Sequence, residues 1–398
     1  MPREVEPRHP LLPAAGTLRT LRSSLRRWHL ANGRDLPWRG CGDPYQVWVS
    51  EIMLQQTTVA AVRPYFERFL KRFPTVQHLA SSDESEVLRL WEGLGYYSRA
   101  RNLHRAAQEI VEQHDGRLPR TVDALQSLPG VGRYTAGAIA SFGMRIPAPI
   151  LEANTLRLYT RWLGFDGDPR STAGQRLLWS FAEVLVPDEH PGEFNQALID
   201  LGATVCTPTQ PRCDACPLPH VCRAFQTSRQ HELPRPKRRP RVTQLTEIAT
   251  VVHKAGAVLL RQCQPGERWA GLWDFPRIEV ARSEPVEIEP RSSTGSPGRG
   301  RTDSRPATSL DGRWLAEARQ HLRARTGVDC EPGELLLELT HTVTRYQIRL
   351  LVIAAAPVGG RIDRGDAPCR WVRPQALAAV PLSTTGRKIA RHLLAGRD

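Results

Sequence analysis

The stretch Leu128-Pro-Gly-Val-Gly-Arg-Tyr134 joins two candidate helices through a turn that contains two glycines, Gly130 and Gly132. Glycine allows the backbone amides at the start of the second helix to point outward, where they can bind a phosphate oxygen without reading base sequence. An ordinary turn between helices is the alternative. Because Leu-Pro precedes the turn and Arg-Tyr-Thr-Ala follows it, the stretch favours a phosphate-binding hairpin.

Helical periodicity continues on both sides of this hairpin. Apolar residues recur at spacings of three and four through much of residues 17–225, and alternation with a period of two never extends far. This part of the chain therefore predicts an all-α fold. The helices expected are 17–31, Val47–Thr58, Val62–Arg72, Glu84–Trp91, Arg99–Gln113, Val122–Ser127 and Thr135–Phe142.

The character of the chain changes after Phe225. Residues 226–245 are polar, basic and proline-containing, which is typical of a linker. Residues 246–398 combine short β-like runs with helical patterns, which predicts a small α/β domain. The β-like runs are Glu247–His253, Ala257–Arg261, Leu335–Leu339 and Ile348–Ala354, and the helical patterns are Trp314–Arg325 and Arg387–Leu394.

Two segments are too polar to contribute to a core. Residues 1–15 are polar and proline-rich, and we expect a flexible tail there. Residues 284–310 contain 15 Ser, Thr, Pro or Gly among 27 residues and no aromatic residue. This composition predicts a disordered insertion in the second domain.

The chain is long and basic, with 398 residues and a formal net charge of +14. The charge is uneven: residues 1–225 carry +3, residues 226–250 carry +4 and residues 251–398 carry +7. An excess of base predicts a polyanionic partner, most simply nucleic acid. Only four of the 55 cations are lysines, namely Lys71, Lys237, Lys254 and Lys388.

The sequence predicts neither a membrane span nor a secretory signal. No window approaches the roughly 18 consecutive apolar residues that a span needs, and no charged start leads into an apolar segment at the N-terminus. We therefore expect a cytoplasmic protein, in a bacterium and associated with the nucleoid. We also expect it to be a monomer.

Four of the eight cysteines form the run Cys206-x6-Cys213-x2-Cys216-x5-Cys222. Without a secretory signal, a disulfide framework is disfavoured and the run indicates four thiolates around one metal centre. Zinc usually takes two short Cys-x2-4-Cys pairs, and only one such pair is present. The uneven gaps favour an iron–sulfur cluster, with zinc and unliganded or disulfide-paired cysteines as the alternatives.

Two carboxylates interrupt apolar segments. Glu51 begins the apolar helix in Ser50-Glu-Ile-Met-Leu-Gln-Gln-Thr57, and Glu152 lies with Asn154 in Pro149-Ile-Leu-Glu-Ala-Asn-Thr-Leu-Arg157. Each could be a solvent-facing residue at a helix start, favoured by the helix dipole. Glu51 could also be an acid held in an apolar site with a raised pKa. Taken singly, the solvent-facing interpretation is the simpler one.

The combination of these features is more specific than any one of them. Glu51, the hairpin, Glu152 and the cysteine run, in that order, resemble the helix-hairpin-helix DNA glycosylase superfamily, and most closely its MutY-type adenine glycosylases. The resemblance covers residues 36–223, with a weaker match at Gly271-Leu-Trp-Asp-Phe-Pro276. Further signatures are Leu-Pro-Trp38-Arg39, Gly-Leu-Gly-Tyr96-Tyr97-Ser-Arg-Ala-Arg-Asn and Phe194-Asn-Gln-Ala-Leu-Ile-Asp200-Leu-Gly.

The resemblance implies a mainly α fold with two parts. The first, residues 16–225, would be the glycosylase domain, with a six-helix module at about 38–150. A subdomain made of 16–37 and 151–225 would hold a [4Fe-4S] cluster through Cys206, Cys213, Cys216 and Cys222. The second part, residues 246–398, would be a Nudix-like domain that recognises the lesion.

The resemblance also implies an activity. The enzyme would be a monofunctional glycosylase that hydrolyses the N-glycosidic bond of adenine mispaired with 8-oxoguanine or guanine in double-stranded DNA. Such enzymes rotate the target nucleotide into a pocket, and two carboxylates with different roles follow glycosidase chemistry. Glu51 would protonate adenine N7, Glu152 would stabilise the cationic sugar, and Asn154 and Tyr134 would orient the carboxylates and water.

Further residues would contact the DNA by the same resemblance. Arg34 and Trp38 would line the adenine pocket, and Gln56 and Tyr96 would wedge into the base stack. The cluster would brace the basic loop Pro208–Arg212 against phosphate rather than perform redox chemistry.

Two departures from the family pattern bear on function. Glu152-Ala153-Asn154 stands where the family has Asp-Gly-Asn, so the carboxylate reaches further by one methylene. In the second domain, Val343, Thr344 and Arg345 stand where the family commonly has Phe-Ser-His. The Thr344 hydroxyl could bind the lesion, and Arg345 could contact phosphate or a base edge. An ordinary turn between strands is the alternative.

Other functions are possible for the scaffold. A bifunctional glycosylase/lyase needs an amine nucleophile, but this chain has Tyr134 where the family places that lysine. A Nudix pyrophosphatase needs metal-binding carboxylates before Gly327, where this chain has Gln320-His321-Leu-Arg-Ala-Arg325-Thr. A glycosylase with altered base specificity and a non-catalytic DNA-damage binder remain as alternatives.

Overall fold

The computed structural model describes residues 9–235, 241–284, 286–287, 310–363 and 367–395, with backbone alone at 286–287. By contacts the chain divides into two units. One comprises Met1–Leu90 with Ser98–Lys237, and the other comprises Trp91–Tyr97 with Arg238–Asp398. Within the described residues, no helix is long and apolar enough to cross a membrane.

The first unit is helical. Side chains cap several helix starts: Asp43 accepts from the Tyr45 amide ahead of a proline at the first helical position, and Thr58, Thr121 and Ser171 accept amides of the first turns of their helices. The helices are α1 Ala15–Asn32, α2 Pro44–Leu54, α3 Val59–Arg72, α4 Val76–Ala80, α5 Glu84–Leu90, α6 Ser98–Gln113, α7 Val122–Ser127, α8 Arg133–Ala138, α9 Ala153–Leu163, α10 Thr172–Leu185, α11 Pro191–Thr204 and α12 Arg223–Gln226.

The hairpin between α7 and α8 depends on Gly130. This residue has a φ of +78°, and a Cβ there would lie 2.8 Å from Cβ of Asn102. Gly132, the residue before α8, has a φ of −86°. A Cβ at this position would have no heavy atom within 4 Å. Gly130 is therefore required by the fold, whereas the space beside Gly132 is open to a ligand. A π-helical turn, Ile139–Gly143, continues α8 into the core.

The core next to the cysteine run joins distant parts of the first unit. Leu21 and Leu25 of α1 pack with apolar residues of α9, α10 and α11, and with Leu218 and Cys222 of the cysteine run. Burial of this apolar surface brings the N-terminal helix against the region after residue 151. The segment that carries the cysteines is thereby fixed to the same core as α9.

The second unit is built on a sheet of order β3-β2-β1-β7-β6, in which β1 and β7 are parallel. Strands β4 and β5 also pair with β1, and β8 pairs with β2, all antiparallel. The elements are β1 Arg241–Lys254, β2 Ala257–Gln262, β3 Trp273–Asp274, β4 Arg277–Arg282, β5 Val286–Glu287, α13 Gly312–Thr326, β6 Val328–Val343, β7 Tyr346–Gly360, β8 Cys369–Val372 and α14 Thr384–Ala395.

The expected fold class is confirmed: a mainly α part is followed by a small sheet-containing domain. Strand β1 nevertheless begins at Arg241, inside the stretch 226–245 expected to be linker. The reason is pairing that composition does not reveal, since Arg241 and Val242 pair with β5. The α12 helix likewise extends to Gln226.

The two segments expected to be disordered fall mostly outside the described residues. Of the tail 1–15, residues 9–15 are described, and there Leu11 and Leu12 pack against the core while α1 begins at Ala15. The end of that tail is therefore ordered, because these leucines bury apolar surface. Of the insertion 284–310, only 284, 286–287 and 310 are described.

Candidate active site

A cavity of about 610 Å³ opens among the helices of the first unit. Helix α2 and the residues after it form one wall, and the start of α9 with the inner face of α11 forms another. Seven of the site residues expected from the sequence line this cavity. They are Arg34, Trp38, Glu51, Gln56, Tyr134, Glu152 and Asn154.

Glu51 is the buried acid of the cavity. It lies near the C-terminal end of α2, so the expectation that it begins its helix was wrong. It is 5% exposed, and the Tyr134 hydroxyl donates to its Oε2 at 2.7 Å. Burial raises the pKa of Glu51 to about 7, with the Tyr134 hydrogen bond opposing the shift and the nearby Glu152 adding to it. Burial and the two carboxylates also raise the pKa of Tyr134, so its hydroxyl keeps the proton that it donates.

Glu152 is held at the N-terminus of α9. Its Oε1 accepts the Thr155 amide at 2.9 Å, and its Oε2 accepts the Asn154 amide at 2.9 Å and Asn154 Nδ2 at 3.2 Å. Burial raises the pKa of Glu152, and these amide donors oppose the shift because they favour the ionised form. Glu152 thus caps α9, as the sequence allowed, but it is partly buried and lines the cavity instead of facing open solvent.

A buried carboxylate fixes the arginines of the cavity. Asp200 accepts from Arg34 Nε at 2.6 Å and from both terminal nitrogens of Arg39, at 2.6 and 2.8 Å. Burial alone would raise the pKa of Asp200, but contacts with His29, Arg39 and the Arg34 amide hold it well below its usual range. An ionised Asp200 therefore holds both guanidinium groups in fixed orientations beside the cavity.

Three of the residues expected to touch DNA have a left-handed backbone. The φ values are +56° at Gln56, +49° at Tyr96 and +52° at Thr344. Such conformations are unfavourable for these residue types, above all for β-branched threonine, and they concentrate at functional sites. Gln56 lines the cavity, whereas Tyr96 is 44% exposed and groups by contacts with the second unit.

Thr344 and Arg345 form the turn between β6 and β7. Val343 pairs with Tyr346 across this turn, so the two residues are the tip of a β-hairpin. Both are exposed, and Arg345 donates to the Tyr346 hydroxyl at 3.0 Å. The interpretation as a turn between strands is confirmed, and the contact with the lesion stays a prediction.

The four cysteines of the run line one small cavity with Arg161, which is 1% exposed. Arg161 donates to Cys206 Sγ at 3.1 Å and to the carbonyl groups of Thr207 and Pro208. Burial raises the pKa of Cys216 to about 12 and of Cys222 to about 11. Four thiols and a buried cation fit a thiolate-ligated cluster, although in the described part of the chain no three side chains already stand as metal ligands.

Sequence reasoning missed several residues of the cavity as site residues. Gln196 and Ala203 of α11 line it, and so does Gln55, whose Nε2 lies 3.4 Å from Thr135 Oγ1. Gly202 lets α11 approach α9, because a Cβ there would lie 2.7 Å from Cβ of Asn154. The sequence carried a signal for this wall of the cavity. In the signature that begins at Phe194, the polar residues Gln196 and Asp200 interrupt a mostly apolar helix.

A separate cavity of about 400 Å³ lies within the second unit. Helix α13 contributes His321 and Arg325 to it, at positions where a Nudix hydrolase would carry carboxylates. The Arg261 guanidinium on its wall makes two 2.8 Å contacts to Glu267. Burial and nearby arginines lower the pKa of His321. At these two positions of α13, His321 and Arg325 replace the carboxylates that a pyrophosphatase would use as metal ligands.

Comparison with known proteins finds relatives of both parts of the chain. Residues 49–183 match the family model described as HhH-GPD superfamily base excision DNA repair protein, and residues 248–392 match that of a NUDIX domain. The adenine DNA glycosylase of Mus musculus is 35% identical, over 97% of this chain and 80% of its own length. That of Buchnera aphidicola subsp. Schizaphis graminum is 37% identical, over 64% of this chain and 73% of its own length.

A solved structure agrees on the helical part. A thermostable thymine-DNA glycosylase matches with a TM-score of 0.50 and 28% identity, over 53% of this chain and 98% of its own. The resemblance expected from the sequence is thus confirmed along nearly the whole chain, and so is the class of enzyme. The chain belongs to the adenine DNA glycosylase family, helix-hairpin-helix enzymes of base excision repair.

Proposed function

We propose that the enzyme removes adenine mispaired with 8-oxoguanine or guanine, with Glu51 and Glu152 as its two catalytic carboxylates. The observation that carries the proposal is their shared cavity: Glu51 is buried with a pKa of about 7, and Glu152 caps α9 with its carboxylate bound by amide donors. Hydrolysis of a glycosidic bond requires one acid that keeps its proton and one carboxylate whose hydrogen-bond donors favour its ionised form.

The proposed reaction begins with proton transfer. Glu51 donates its proton to a ring nitrogen of the flipped adenine, and the C–N bond breaks with its electron pair leaving on the base. The Glu152 carboxylate stabilises the positive charge that develops on the sugar, with Asn154 beside it. Water then adds to the sugar, and its proton passes to the Glu51 carboxylate, which restores the acid.

The remaining side chains have supporting roles in this proposal. Tyr134 occupies one oxygen of Glu51, which leaves the other for the base. Arg34 and Trp38 surround the base, with Arg34 oriented by Asp200. The amides after Gly130 and Gly132 bind a phosphate, and Gln56 and Tyr96 enter the base stack. Thr344 and Arg345 contact the strand that carries the lesion.

Cys206, Cys213, Cys216 and Cys222 would hold a [4Fe-4S] cluster. Cluster-bound cysteines would hold the loop Pro208–Arg212 in place for contact with the DNA backbone, and the cluster would supply structural bracing rather than redox chemistry. Arg161 balances thiolate charge at Cys206. We also propose that the enzyme is a monomer that acts on double-stranded DNA in the cytoplasm, on the bacterial nucleoid.

The test is single-turnover excision by purified protein on duplexes with adenine opposite 8-oxoguanine, guanine and thymine. We expect rapid release of adenine opposite 8-oxoguanine, slower release opposite guanine and none opposite thymine. Equal rates on all three duplexes would contradict mispair specificity, and tight binding without release would indicate a non-catalytic binder. Borohydride trapping is expected to yield no covalent adduct, because a lyase amine is lacking at Tyr134.

A further inference from the structure

A buried hydroxyl ties the position of Glu152 to the helix that it caps. Thr155, which is 0% exposed, accepts the Glu152 backbone amide on its Oγ1 at 2.8 Å. Its own backbone amide donates to Glu152 Oε1 at 2.9 Å. The two residues therefore form a reciprocal capping box in which the carboxylate belongs to the N-cap residue and the hydroxyl to the third helical residue.

This arrangement constrains both ends of a flexible side chain. A glutamate has three rotatable side-chain bonds, so its carboxylate can sweep a large volume unless it is held. The Thr155 hydroxyl fixes the backbone from which the side chain departs, and the Asn154 and Thr155 amides fix the carboxylate itself.

We propose that Thr155 is a positioning residue for catalysis, which holds the Glu152 carboxylate at the cavity through the capping box. The inference rests on the proposed function, because the position of Glu152 matters only if this cavity breaks the glycosidic bond. Misplacement of a reacting group by about 1 Å can cost about 100-fold in rate. Without the hydroxyl, the Glu152 amide loses its partner and the carboxylate loses its fixed starting point.

The key variant is Thr155→Val, which removes the hydroxyl and keeps the branched shape. Single-turnover excision of adenine opposite 8-oxoguanine should fall by about 10- to 100-fold. Affinity for a duplex with a non-cleavable adenine analogue should change by less than about threefold, since no proposed DNA contact is removed. Thr155→Ser keeps the hydroxyl and should recover most of the rate.

A matched control lies about one and a half turns further along α9. Thr160 is also 0% exposed, and its hydroxyl donates to the Leu156 carbonyl at 2.7 Å. Thr160→Val removes a comparable buried hydroxyl that does not touch Glu152, so its excision rate should match that of wild type. Should Thr155→Val fail to fold, Thr155→Ala is compared with Thr155→Ser in the same way.

A double-mutant cycle separates positioning from general damage. If Thr155 acts through the carboxylate, Thr155→Val should add little to the loss already caused by Glu152→Gln. Losses that multiply, or a Thr155→Val protein as fast as wild type, would overturn the inference. An inactive wild-type enzyme would instead contradict the proposed function, so the two failures are distinguishable.

Discussion

Glu51 shows at the level of one residue how function conflicts with stability. The pKa of Glu51 is about 7 in the folded protein, against an ordinary value of 4.5. Between these two pH values the folded protein keeps a proton that the unfolded chain has released. The folded state therefore loses stability relative to the unfolded state as pH rises from 4.5 to 7, and the loss is complete above 7. The difference corresponds to roughly 3 kcal/mol.

Replacing Glu51 with glutamine should stabilise the protein above neutral pH. Since Glu51→Gln removes the ionising group, the gain in melting temperature over wild type should be largest near pH 8 and shrink toward pH 5. Thermal denaturation at both pH values measures it. Glu183→Gln is the control, because Glu183 is about half exposed and pairs with Arg133 at the surface. A gain that does not depend on pH would show that Glu51 is not held protonated.

At the scale of elements, the two glycines of the hairpin between α7 and α8 have different roles, Gly130 in folding and Gly132 in the proposed binding of phosphate. Gly130→Ala places a side chain in a left-handed conformation and 2.8 Å from Asn102 Cβ, so it should lower stability by about 1–3 kcal/mol. Gly132→Ala meets nothing within 4 Å and should cost less than about 1 kcal/mol.

The order should be reversed for DNA binding, where Gly132→Ala should lose more duplex affinity than Gly130→Ala. The methyl group of Gly132→Ala would lie beside the amides proposed to bind phosphate, and we expect at least a several-fold loss of duplex affinity. Melting curves and titration of a non-cleavable duplex give both quantities. A Gly132→Ala protein with wild-type affinity would argue against phosphate binding by this hairpin.

The elements also show what local sequence can and cannot predict. The helix Val122–Ser127 could be predicted from periodicity, because the spacing of its apolar residues is set by the local sequence alone. Strands β6 and β7 extend well beyond the expected runs Leu335–Leu339 and Ile348–Ala354. Their ends are fixed by pairing such as Val328 with Gly360, which depends on a partner distant in sequence.

The site shows the same division. Glu51, Glu152 and the cysteines could be nominated because unusual residues interrupt recognisable patterns. The capping box of Thr155 with Glu152 and the contact of Gly202 with Asn154 could not, since they depend on side-chain directions and on how closely two helices approach.

For the whole molecule, charge and chemistry are distributed differently along the chain. Residues 1–225, which contain the cavity, carry a net charge of only +3, whereas residues 226–398 carry +11 from the +4 and +7 of their two stretches. The cavity region is thus expected to bind DNA through a few placed groups. Long-range attraction to phosphate is expected to come mainly from the rest of the chain.

Removing residues 238–398 should therefore flatten the dependence of DNA affinity on salt. The slope of the logarithm of affinity against the logarithm of salt concentration should become less negative, because fewer counterions are released on binding. Titrations of one duplex over a series of salt concentrations, with full-length and shortened protein, measure this. Equal slopes would mean that the C-terminal charge does not face DNA.

Glu51, as the acid that releases the base, is the central residue of the proposed mechanism. The most direct measurement is the single-turnover rate of adenine excision opposite 8-oxoguanine, for wild type and Glu51→Gln, between pH 6 and pH 9. Wild type should slow as pH rises above about 7, where Glu51 loses its proton, and Glu51→Gln should be slower by about 100-fold or more at every pH. A Glu51→Gln enzyme that excises adenine at the wild-type rate would contradict the account.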